Sequence, residues 1–134
     1  MGVQNANLPL GATFAPTGGT ATAFTADGTT VPNGVRIVVP ADTTAATRRN
    51  ATVKSRNAVI NSATGKFSGK DKRSAVMCLP EVLPDGSISF DLVRVEIECH
   101  PQSAATKVAA LKSAGLCMLS DADFDNLWAV GSVA

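Results

Sequence analysis

Between Arg49 and Cys99 the chain alternates polar and apolar side chains with a period of two, and many of the polar members are basic. Ala51, Val53 and Val59 fall on one side of a strand running from about Arg49 to Ile60, and Thr52, Lys54 and Arg56 fall on the other. In the next strand Ala75, Met77 and Leu79 oppose Lys72, Ser74 and Val76. In the last one Val93, Val95, Ile97 and Cys99 oppose Phe90, Arg94 and Glu96. Successive side chains of a strand point to opposite faces. The segment is therefore suited to a sheet with one apolar and one cationic face, and something must cover the apolar one.

The flanks set the rest of the architecture. Leu8, Leu10, Ala12 and Phe14 alternate, Ala15-Pro16-Thr17-Gly18-Gly19 marks a turn, and Thr20 to Thr25 is a Thr-rich strand. Together they predict a hairpin over 1–27. Asp27-Gly28 and Asn33-Gly34 punctuate a loop, and Val35, Ile37 and Val39 form a short strand ended by Pro40. Asn61 to Gly69 is a Gly/Ser/Thr loop, and Pro84-Asp85-Gly86 is a hairpin turn. After Pro101 the period becomes helical through Ala105, Val108 and Leu111, with Gly115 as the stop. Ser120 to Asp123 fits a capping box with Ser120 as N-cap, and Phe124, Leu127 and Trp128 share one face of a second short helix. The order is α+β: an N-terminal β-hairpin, a five-stranded antiparallel sheet over 33–100, and two C-terminal helices over 101–134. A length of 134 residues fits a single domain.

Two short helices cannot cover one face of five strands, and a bare face would be a large apolar patch. The expectation is an obligate, interlocked homodimer. Its two sheets join edge to edge, and each chain's helices cover the partner's apolar face. The alternative is a monomer whose N-terminal hairpin folds under the sheet.

The net charge is only +1, so bulk charge forces neither a nucleic-acid nor a membrane reading. Its distribution is more informative. Eight of the twelve basic side chains lie between Arg48 and Arg73, opposed there by Asp71 alone. Lys54, Arg56, Lys72 and Arg94 share the parity that faces away from the apolar layer, as expected for a sheet that tracks phosphates. Phe90 on that face could stack an unpaired base. Asn50, Thr52, Ser74 and Glu96 add hydrogen-bonding groups for base edges. A merely solvated outer face accounts for any one of these charges, and less well for their concentration in one segment.

Other chemistries find little support. Cys78, Cys99 and Cys117 are widely spaced and odd in number, which argues against a disulfide framework and for a reducing compartment. No apolar run approaches the ~20 residues of a membrane span. Residues 1–26 lack the basic start and apolar core of a signal peptide. Position 6 is Ala where a myristoylation signal wants Ser or Thr, and the start is read as the true N-terminus. His100 is the single histidine, has no GxSxG elbow to serve, and reads as a loop or helix-start residue. The cysteines and Glu98 have no recognised zinc spacing. Gly65 to Lys70 has its glycines one residue too close for a phosphate loop and Asp71 where Ser or Thr should stand, so it reads as a flexible basic loop. Asn50-Ala51-Thr52 matches a glycosylation sequon by chance. No enzyme, metal or cofactor is expected.

The whole layout resembles the coat proteins of single-stranded RNA bacteriophages, the levivirus type. Asn33-Gly34-Val35 resembles the family's entry to the first sheet strand, and Asn50-Ala51-Thr52-Val53-Lys54-Ser55-Arg56 resembles its RNA-facing strand. Phe90 stands where members place a base-stacking aromatic, Tyr in well-known ones. Lys107 to Leu111 and Phe124 to Ala134 resemble the helical tail. The resemblance implies interlocked dimers that assemble into an icosahedral capsid around the genome. It implies an inner face that binds a viral RNA stem-loop, repressing translation and helping packaging. By position, Asn50, Thr52, Lys54, Arg56, Lys72, Ser74, Phe90, Arg94 and Glu96 would face RNA. Glu81 to Ser87 is shorter, and Asn61 to Lys72 longer, than the matching family loops. Phe90 keeps stacking without a hydroxyl, and Leu92 is apolar on the RNA face, which favours non-specific packaging over hairpin recognition. The implied location is the virion, and the bacterial host cytoplasm during assembly. Two rival readings are a dimeric RNA-binding module that does not assemble, and a β-rich structural subunit of another virus or appendage.

Overall fold

β-Branched residues at alternate positions favour extended, half-buried chain. In the computed structural model, which describes residues 2–133, the strands are β1 (Thr25–Val31), β2 (Gly34–Val38), β3 (Asn50–Arg56), β4 (Val59–Asn61), β5 (Lys66–Ser68), β6 (Asp71–Val82) and β7 (Ile88–Cys99). Two helices follow, α1 (Ala105–Ser120) and α2 (Asp125–Val130). Five strands form an antiparallel sheet in the order β1-β2-β3-β6-β7, and β4 pairs with β5 separately. The five-stranded antiparallel sheet and the two C-terminal helices agree with the reading of the sequence. By contact the chain divides into a sheet unit, Gly19–Gln102, and a unit made of the N-terminal segment through Gly18 with the helical tail from Ser103.

Within the sheet unit the first hairpin is β1–β2, turning at Pro32-Asn33. Proline presets the first turn position and Asn33 takes the left-handed conformation, φ 59. Gly34 opens β2 opposite Lys54, where its backbone lies too close to β3 to admit a side chain. The link from β2 to β3 is held by Asp42. Arg49 donates to it from Nε (2.9 Å), Nη2 (3.0 Å) and the backbone N–H (3.0 Å), and Val39 N–H bonds the Arg49 carbonyl (3.0 Å). The Arg49 hydrogen bonds hold the Asp42 carboxyl at about 2, down from 3.8. A depressed carboxyl adds stability that is full above its unfolded value and is lost as pH falls through the folded one. Wild type and Asp42→Asn should therefore differ in melting temperature near pH 6 and converge as pH falls from about 4 to about 2, by a small amount because the pair is exposed. An offset that persists at the acid end contradicts this.

Three boundaries in this unit differ from expectation. The sheet opens at Thr25, with β1 as its fifth strand, rather than at 33. β3 ends at Arg56 rather than running on to Ile60, so Val59 joins β4 in the separate sheet. Side chains make the break: Asp71 Oδ1 accepts from Ala58 N–H (2.8 Å), and Arg73 donates to the Arg56 carbonyl (3.0 Å) and Asn57 Oδ1 (2.8 Å). The expected Gly/Ser/Thr loop at 61–69 contains β5, paired through Ile60↔Phe67. The Phe67 ring meets His100 edge-on at 5.8 Å, while His100 Nδ1 accepts from Gln102 N–H in a loop.

In the other unit, the N-terminal hairpin expected over 1–27 is not formed: residues 8–14 carry no strand and β1 begins only at Thr25. Pro9 has no N–H to give a ladder, and Gly11 turns the chain at φ 85. Helix side chains take the carbonyls instead, Cys117 Sγ bonding Pro9 O (3.3 Å) and Ser113 Oγ bonding Ala12 O (2.8 Å). α1 passes through Gly115 to Ser120. A glycine costs about 1 kcal/mol in a helix, and the next turn carries the fully buried Cys117. Ser120 caps nothing: its Oγ bonds back to the Leu116 carbonyl, and Asp121 instead caps a 3-10 turn over Ala122–Phe124 that leads into α2, its carboxylate accepting from Asp123 N–H (2.9 Å). Trp128 Nε1 then ties α2 to the Met118 carbonyl (2.9 Å). Met1 and Ala134, the outer limits of the expected hairpin and tail, lie outside the described residues.

Candidate nucleic-acid interface

Antiparallel register aligns side chains of one parity into rows across a sheet. From one end, the rows read Arg56–Lys72–Glu98, Lys54–Ser74–Glu96, Arg36–Thr52–Val76–Arg94, and Asn50–Cys78–Leu92. Phe90, opposite Pro80, comes next. All nine residues singled out from the sequence, Asn50, Thr52, Lys54, Arg56, Lys72, Ser74, Phe90, Arg94 and Glu96, thus lie on one face. At about 3.3 Å per residue, the eight steps from Glu98 to Phe90 span roughly 26 Å. The opposite face carries Ala51, Val53, Ala75, Met77, Leu79, Val93, Val95 and Ile97. In the single chain that layer is buried at Ala51 and exposed toward β7, with Leu79 and Val95 each 49% exposed.

The cations of the polar face are not equivalent. Lys54, Arg56 and Arg94 make no ion pair or side-chain hydrogen bond among the described residues. Arg36 is bound to Asp27. Lys72 Nζ lies 2.8 Å from Glu96 Oε1 and 3.5 Å from Glu98 Oε1. The Glu96 hydrogen bond and charge, with Glu98 adding to them, hold the Lys72 ammonium above its ordinary range. Arg56 stands directly across from Lys72, a like-charge neighbour that an outside anion would relieve. Two hollows of about 320 and 400 Å³ open on this face, and Lys54, Ser74 and Glu96 line both. Asn50 turns its amide to the Arg48 carbonyl (3.1 Å). Phe90 is 62% exposed. Such a face can neutralise phosphates along β3 and offer a flat ring to a base.

Arg36 and Glu98 share the face and were missed by sequence reasoning. Counting parity onward from Glu96 would have found Glu98. Among the described residues no group of His, Cys, Asp or Glu is arranged to hold a metal, and no helix is long and apolar enough to cross a membrane.

No protein-family model and no curated protein matches the sequence. Among solved structures, the virus-like particle of bacteriophage GQ-907 is 38% identical. It matches over 98% of this chain and 99% of its own, with a TM-score of 0.87. The chain belongs to the coat proteins of the levi-like RNA bacteriophages. More distant structures share the fold: the virus-like particle of bacteriophage AVE019 (12% identity, 84% of this chain and 86% of that one, TM-score 0.62) and that of Beihai levi-like virus 21 (15%, 86% and 97%, TM-score 0.54). The coat-protein assignment gives the two-faced sheet a context, because a shell protein works through its surfaces.

Proposed function

We propose that this coat protein dimerises, assembles into an icosahedral shell, and packages single-stranded genomic RNA against its basic sheet face, without catalysing a reaction. The observation that carries this reading is the gathering of Lys54, Arg56 and Arg94 with exposed Phe90 on one sheet face, while the other face is apolar and, toward β7, exposed in a single chain. Strand β7 supports a dimer: it pairs only with β6 among the described strands, so one edge of a twelve-residue strand is free for a second copy. A second copy's helices would then seal the apolar layer, and the whole chain would act as one coat-protein domain of the virion. The RNA grip is electrostatic and tolerant of sequence. Repression through an RNA stem-loop is a finer function of the same face, in which Thr52, Ser74 and Phe90 would meet unpaired bases.

Expression of the full chain in bacteria followed by negative-stain microscopy tests the reading. The expected result is spherical particles with absorbance at 260 nm above that at 280 nm. A soluble dimer of fixed size that binds RNA would replace the shell with a non-assembling module. Particles free of nucleic acid would remove the RNA role.

A further inference from the structure

We infer that Glu98 and Glu96 form a built-in competitor for Lys72, limiting how tightly the face holds RNA; this rests on the RNA-packaging role proposed above. Lys72 sits at the end of the face where cationic charge is densest, between Arg56 on β3 and Glu98 on β7. It is nevertheless the one cation among Lys54, Arg56, Lys72 and Arg94 that has carboxylates within reach, at 2.8 and 3.5 Å. Glu98 is its direct cross-strand partner and Glu96 lies one row along, so the β6–β7 register itself delivers both acids. A phosphate approaching Lys72 must displace one carboxylate and stay beside the other. Lys54 and Arg56 impose no such exchange.

The consequence is a division across the sheet. Phosphates are drawn to Lys54 and Arg56 on β3, where nothing competes, rather than to Lys72, whose ammonium two carboxylates already engage. Each phosphate neutralised on a single strand adds about 0.7 to the slope of log affinity against log salt. Lys72 should therefore contribute little to that slope in the native protein, despite its place opposite Arg56 at the most basic end of the face. The face binds RNA through fewer charges than it displays, which keeps non-specific retention moderate.

The test is the binding of a fluorescent oligouridine to the full chain across a salt series, with thermal melts confirming that each variant folds. Lys72→Met alone is expected to leave the slope nearly unchanged, while Lys54→Met lowers it by about 0.7. Glu96→Gln with Glu98→Gln is expected to steepen it by about 0.7, or roughly fivefold in affinity at 0.1 M salt, and adding Lys72→Met should abolish that gain. If Lys72→Met costs as much as Lys54→Met in the native background, Lys72 is already free and the inference fails while the RNA face stands. If the glutamine pair gains affinity that Lys72→Met does not remove, the acids act by general repulsion and the inference also fails. If neither Lys54→Met nor any other change moves the slope, the RNA-facing assignment itself is wrong and both readings end.

Discussion

Replacing Lys54 and Arg56 together by alanine is expected to produce coat protein that folds and dimerises but carries far less RNA. Both side chains are exposed and make no side-chain contacts that the fold needs; only the Arg56 carbonyl is used, by Arg73. Alanine costs a strand up to ~1 kcal/mol in propensity, well below the stability of a typical domain. The loss falls instead on binding. Removing two phosphate contacts should lower the salt slope by about 1.4, or roughly 25-fold in affinity at 0.1 M salt. Particles purified from bacteria should show a reduced ratio of 260 to 280 nm absorbance, and gel filtration should still show dimers. An unchanged RNA content and an unchanged salt slope would overturn the placement of RNA on this face.

Gly34→Ala should do the opposite, damaging the fold before it affects any ligand. A Cβ at this position would lie 2.1 Å from the Val53 carbonyl oxygen, 3.0 Å from Lys54 Cγ and 3.1 Å from Lys54 Cα. Lys54 Cγ could swing aside. The Val53 oxygen cannot, because it belongs to the β2–β3 ladder, where Gly34↔Lys54 and Val35↔Val53 are neighbouring pairs. Relief requires the strands to part at the end where Asn33 also makes its left-handed turn. Overpacking of this kind costs about 3 kcal/mol at the upper end of the usual range, equivalent to a melting point lower by roughly 10 °C. The predicted readout is a lower melting temperature and poor soluble yield, with RNA affinity falling in the protein that does fold because Lys54 is displaced. A variant that melts like wild type would mean that β2 and β3 are not so closely apposed.

Much of the candidate interface is legible in the amino-acid order because strand parity is local. Once Asn50 to Arg56, Asp71 to Val82 and Ile88 to Cys99 are extended, Lys54, Ser74 and Arg94 can share a face and Val53, Ala75 and Val95 the other, whatever the rest of the chain does. The same reasoning fails where local pattern meets a competing constraint. Leu8 to Phe14 alternates like a strand, yet Pro9 and Gly11 divert it and α1 claims its carbonyls. Gly115 looks like a helix stop, yet the turn beyond it carries the buried Cys117. Lys66 to Ser68 looks like loop, yet pairing with Val59 to Asn61 makes it strand.

Two unlike sheet faces, and the gathering of positive charge on one of them, follow from the order of residues alone, since a period of two needs only near neighbours. Which of those charges are available is a matter of three-dimensional pairing. Lys72 and Glu98 are twenty-six positions apart, and they meet because a turn at Pro84-Asp85-Gly86 sets β6 against β7 in one register. Charge in a sequence is a count, whereas its action on a ligand depends on distances that only long-range pairing establishes.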